Sequence, residues 1–146
     1  MQLRSIMILL CVLPGLATAG PAMMRSVQGA YDDVTFDLEN AIVNQGLVVD
    51  WVSHIGVMLA RTGEVIEGAE PIYTNAAVYN FCSAELSRAA MQLSPENIQN
   101  CPYGIFVYET AAEPGTIIIG HRVYEDDGMQ DVNALLDVIV NDVMGD

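Results

Sequence analysis

Near the C-terminus, Val132, Leu135, Leu136, Ile139, Val140 and Val143 recur at positions i, i+3, i+4, i+7, i+8 and i+11. That is the period of an α-helix with one apolar stripe, and the stripe has to be buried against a second apolar surface. The preceding residues can build one. Residues 47–52, 77–82, 103–109 and 116–124 are dense in Val, Ile, Tyr and Phe and are bounded by turn residues, which predicts four strands, with 24–28 as a short fifth. A helix is predicted over 33–45, where Val34, Leu38, Ala41 and Ile42 share a face and Gly46 supplies the stop. Others are predicted over 54–61, capped by Ser53, and over 84–93, with a further turn opened by Ser94-Pro95-Glu96. Residues 64–75 mix Gly, Pro and acids and read as loop, and 111–115 read as a hairpin loop. The expected fold is α+β: a single compact domain whose sheet of four to five strands packs against helices on one face, in the order βαβ-α-βαββα.

The first 19 residues stand apart from this pattern. Arg4 supplies a positive charge, residues 6–13 are an apolar run closed by Pro14-Gly15, and Ala17-Thr18-Ala19 offers the small residues that signal peptidase reads. We expect cleavage after Ala19, a domain over 20–146, and a periplasmic or secreted protein. The apolar run is too short to span a bilayer, which needs about 20 residues, so no membrane insertion is expected once the leader is gone. Bulky Leu10 precedes Cys11, against a lipoprotein signal, and Cys11 should leave with the leader.

Charge excludes several function classes. The chain has 19 acidic residues against five Arg, with no Lys, for a formal net charge of −14. Nucleic acid and anionic lipid would be repelled, because dispersed arginines cannot easily build a cationic patch on so acidic a surface. Schiff-base and phosphate-loop chemistry both need a lysine amine that is missing.

Two cysteines, Cys82 and Cys101, remain after the leader, in a compartment that oxidises thiols. Their pairing is open. Parity favours a disulfide, which would stabilise by about 3 kcal/mol through loop closure. Parallel strands at 77–82 and 103–109 would instead hold the sulfurs at opposite ends of the sheet and leave a reactive thiol.

Three stretches, Leu38 to Trp51 (LENAIVNQGLVVDW), Tyr79 to Ser83 (YNFCS) and Asn100 to Glu109 (NCPYGIFVYE), sit at matching places in the order of elements. In them the chain resembles the domain-of-unknown-function 302 family, also called the TT-1751-like fold family, over nearly all of residues 20–146. The form Val52-Ser53-His54-Ile55-Gly56 looks like its exported proteobacterial branch. The chain departs from the family at Ser83-Ala84, where relatives more often have Asn-Pro, and at Cys101, where many have an apolar residue. The resemblance implies a fold and no activity, since the family is named for lacking a function.

The chemistry available lies in a few soft or titratable side chains. His54 and Met58 are four apart and face the same way, a spacing that can present an imidazole and a thioether to copper or haem iron, unless Met58 is core and His54 a cap. Cys82, at a strand end, is a third candidate ligand or thiolate, against a reading as a buried small hydrophobe or half of a disulfide. Met23-Met24 is a weak copper(I) pair. His121 falls on the strand face of Ile117 and Ile119 and reads as a satisfied strand histidine. Glu125-Asp126-Asp127 lacks the alternation of a calcium loop and reads as a solvated turn. No GxSxG, HExxH, CxxC or GxGxxG is present, so no hydrolase, zincin, thioredoxin-like or dinucleotide template is supported.

Two readings follow. The first is a non-enzymatic periplasmic binding or interaction module, holding a small ligand, a protein, haem or a soft metal through His54, Met58 or Cys82. The second is a thiol enzyme acting on a small sulfur compound or peroxide at Cys82 or Cys101, for which a Cys82-His54 dyad is the candidate pair. A small sheet with exposed edges is compatible with a homodimer in either case.

Overall fold

Strict alternation along the strands divides the sheet into two unlike faces. In β4 (Tyr103–Thr110) every second residue, Tyr103, Ile105, Val107 and Glu109, is buried, and the residues between them are half-exposed. β5 (Thr116–Arg122) buries Ile117, Ile119 and His121 in the same phase, and β3 (Tyr73–Phe81) buries Ala77, Tyr79 and Phe81. The computed structural model describes residues 21–146; the expected leader, its cleavage after Ala19 and Cys11 lie outside the described residues.

β1 (Ala22–Gln28) and β2 (Val49–Ser53) complete a five-stranded sheet in the order β1-β5-β4-β3-β2, with every pair antiparallel. The core face is closed by α1 (Tyr31–Asn44) and α4 (Gln130–Met144). α4 delivers the expected stripe, with Val132, Leu136, Ile139 and Val140 fully buried. Burying each such side chain contributes about 1.5–3 kcal/mol. α1 supplies Leu38, Ala41 and Ile42, and ends where Gly46, at φ 73°, lets its N–H reach the Val43 carbonyl and that of Leu47 reach the Ile42 carbonyl.

Three expectations are corrected. β3 begins at Tyr73, inside the segment that composition marks as loop, because residues 73–76 gain ladder bonds from β4 that a loop would leave to solvent. The helices do not all share one face: α2 (Ile55–Gly63) lies on the other, where Ile55 joins Met24, Phe106 and Tyr108 around one hollow. The strands around the cysteines are antiparallel rather than parallel. α3 (Ala84–Leu93) and the 3-10 turn Pro95–Asn100 carry the chain back to the end of the sheet it has just left, so Phe81 pairs with Tyr103. Cys82 and Cys101 therefore flank one end of the sheet, and they are joined as a disulfide with Cα atoms 6.5 Å apart.

Candidate functional site

Opposite the core, among the described residues, the sheet face is crossed by α2 alone, a helix with no fully buried residue. Two glycines deepen it. Gly120 pairs with Phe106 and lies under its ring: a Cβ at Gly120 would stand 2.8 Å from the Phe106 ring and 3.1 Å from the Met24 Cα. Gly104 pairs with Asn80, and a Cβ there would stand 3.0 Å from a Val78 methyl. Glycine inside a strand weakens the ladder; at Gly120 it leaves room for the neighbours, and at Gly104 it leaves a low floor.

Above that floor lies a polar cleft of about 860 Å³. Val78, Gly104 and Phe106 form its base, Gln99, Asn100 and Pro102 one wall, and Arg122, Tyr124, Glu125 and Asp126 the other. The walls are tied together, since the Asn100 amide donates to Asp126 at 3.0 Å. Asn97 braces the same region by donating to the Ala90 and Asp127 carbonyls at 2.9 Å each. Asn80 donates to the Val78 carbonyl at 3.0 Å, and its amide oxygen lies toward Gly104. Arg122 lines the cleft and among the described residues forms no ion pair within 4 Å. Burial pushes the Tyr124 phenol above its ordinary value, against an opposing pull from Arg122, so it stays a neutral donor.

The residues expected to ligate do not converge. His54 is the N-cap of α2, exposed and with no capping bond from its side chain, and Met58 is 43% exposed one turn later. The two are adjacent on the helix, where the Met58 N–H donates to the His54 carbonyl at 3.2 Å. Cys82 is remote from both. Ser53 pairs with Val78, so His54 falls beside Ala77, five residues before Cys82, or about 16 Å along the strand. Both described cysteines are spent in the disulfide, which leaves the thiol-enzyme reading and a Cys82-His54 dyad without a free thiolate. Met23 and Met24 are consecutive on β1 and point to opposite faces, so they cannot grip one ion together.

His121 is wholly buried on the core face. Nδ1 lies 2.8 Å from the Arg122 carbonyl and Nε2 lies 2.9 Å from an Asp137 oxygen, so each ring nitrogen faces an acceptor oxygen. Asp126 of the acidic turn is held by Asn100. Among the described residues no group of three or more His, Cys, Asp or Glu is arranged to hold a metal ion, and no helix is long and apolar enough to cross a membrane.

Sequence reasoning missed the cleft, because Asn80, Asn100 and Arg122 are ordinary residue types far apart in the chain. A signal was present in Gly104 and Gly120, which interrupt apolar strand patterns where only a close approach of neighbours explains them.

No family model and no curated protein matches this chain. Its structure is similar to the crystal structure of an uncharacterized conserved protein, DUF302, from Bacillus stearothermophilus, with a TM-score of 0.60 at 16% identity. The likeness covers 85% of this chain and 93% of that one. At that identity it is a likeness of fold, and the chain has a DUF302-like α+β fold.

Proposed function

We propose that this protein is a non-catalytic binding module of the periplasm, and that its ligand is a small polar molecule carrying both charges. One observation carries the reading: one polar cleft is lined by Arg122, which has no ion pair within 4 Å among the described residues, and by Glu125 and Asp126. An amino-acid-like zwitterion fits that arrangement, its carboxylate toward Arg122 and its ammonium toward the two acids. Side-chain amides at Asn80 and Gln99 add neutral hydrogen-bonding groups, which fix orientation in pockets of this size. The disulfide supports the exported part of the reading, since such bonds persist in oxidising compartments.

The test is a calorimetric titration of protein purified from periplasm with free amino acids and dipeptides, with haem and copper(I) as further arms. Saturable binding of a zwitterion, lost in Arg122→Met while the fold is retained, supports the reading. Binding that ignores Arg122→Met overturns it. Haem or copper(I) uptake at one per chain, abolished by His54→Ala, would move the function to the His54 and Met58 pair on α2.

A further inference from the structure

Between α2 and the connection to β3 lies a separate hollow of about 400 Å³, which shares no lining residue with the polar cleft. Its wall is mostly apolar, with Leu59 and Ala60 from α2, Ile66 and Ile72 from the connection to β3, and Tyr73 at the start of that strand. The connection folds back over the helix through short turns, with the Val65 and Ile66 N–H groups donating to the Thr62 and Gly63 carbonyls at 3.2 and 3.4 Å. Ile66 and Ile72 are each left 58% exposed. Apolar surface left open around a preformed hollow is the usual mark of a ligand site.

Charge selects the ligand. Glu64 and Glu70 both line the hollow, Glu67 lies between them in sequence, and no Arg lines it. An apolar acid would meet two like charges, whereas a cation would meet two opposite ones. Tyr73 adds an aromatic wall, its ring held edge-to-face on Tyr108 with centroids 5.4 Å apart. A tyrosine face attracts an organic cation. The same Tyr73 lines the neighbouring apolar hollow of about 250 Å³ beside Ile55 and Phe106, so an apolar tail has somewhere to extend.

From the apolar wall, the two lining carboxylates and the aromatic side we infer that this hollow binds a small organic cation with an apolar body, an alkyl- or arylammonium. The site is independent of the polar cleft and of Arg122.

The experiment compares octylammonium, octanoate and 1-octanol, three probes that share a tail and differ in head group, against the intact protein. Calorimetry gives affinity, and amide chemical-shift mapping gives location. Octylammonium should bind one per chain, at least about tenfold more tightly than octanoate, with shifts centred on Leu59, Ala60 and Ile72. In the double variant Glu64→Gln/Glu70→Gln the ammonium preference should fall to within about threefold of 1-octanol, while 1-octanol binding is unchanged. Both substitutions are on exposed side chains, and circular dichroism verifies that the variant folds. Equal affinity for octanoate, shifts confined to the polar cleft, or no saturation by octylammonium up to about 5 mM would each overturn the inference.

Discussion

Removing the disulfide tests how the fold holds its most independent part. The bond joins residues 19 apart and closes a loop containing α3 and the 3-10 turn. Apart from the disulfide, α3 is held to the sheet by few groups: Ala90 is its one buried residue, and the Ser87 and Tyr103 hydroxyls share a bond of 2.7 Å. In the chain-entropy model, opening a loop of about 20 residues frees the unfolded chain by about 11 cal/mol/K, which is about 3 kcal/mol at 25 °C. For a domain of this size that lowers Tm by roughly 10 °C. The variant is Cys82→Ala/Cys101→Ala, which leaves no lone thiol to form intermolecular bonds. Urea unfolding followed by circular dichroism gives the free energy, and calorimetry gives Tm. Wild type under dithiothreitol should lose the same stability to within about 1 kcal/mol, since both treatments open the same loop. Hydrogen exchange should quicken first at the amides of residues 84–100. Two free thiols in native, non-reducing protein, or a fall in Tm below about 2 °C, would refute the reasoning, because a bond that is unformed or closes no costly loop cannot stabilise in this way.

Other expectations concern the site and its supports. Gly120→Ala should destabilise by about 3 kcal/mol or more, because the new methyl meets the Met24 backbone and the Phe106 ring; Gly104→Ala, which meets only a side-chain methyl of Val78, should cost about 1 kcal/mol, and urea midpoints of the two compare them directly. Glu109 accepts from the Gly115 N–H at 2.7 Å and from the Asn75 amide at 2.9 Å, and these bonds hold its carboxyl below the ordinary value of 4.5. A depressed folded value means that its contribution is fully present above about pH 4.5 and is lost as the pH falls through the folded value; Glu109→Gln should therefore lower stability at pH 7, flatten the acid limb of the stability curve and change little where the wild-type carboxyl is already protonated. Asp137→Ala strips the buried Nε2 of His121 of its partner and should cost about 1–3 kcal/mol, whereas Asp137→Asn, whose amide can donate to the ring, should cost less than about 1 kcal/mol in the same assay.

Local pattern determined most of the elements. α4 is legible because its stripe is long enough for the 3.6-residue period to be unmistakable, and β4 and β5 because alternation over seven or eight residues separates two faces. The same alternation put His121 among Ile117 and Ile119, where it is found buried. Local pattern says nothing, however, about which end of the sheet a helical excursion returns to. That direction decided that β3 and β4 run antiparallel, and with it that Cys82 meets Cys101 and stands apart from His54. The first four residues of β3 were equally hidden, since Tyr73 to Ala76 are in a strand because β4 offers them partners rather than because of their own propensity. The cleft was least legible of all: Asn80, Asn100 and Arg122 come from three segments, and only the packing of β3, the 3-10 turn and β5 beside Gly104 makes them one surface. Periodicity is a property of neighbours in sequence and so can be read from the chain; a binding surface is a property of neighbours in space, and antiparallel pairing across the sheet created it.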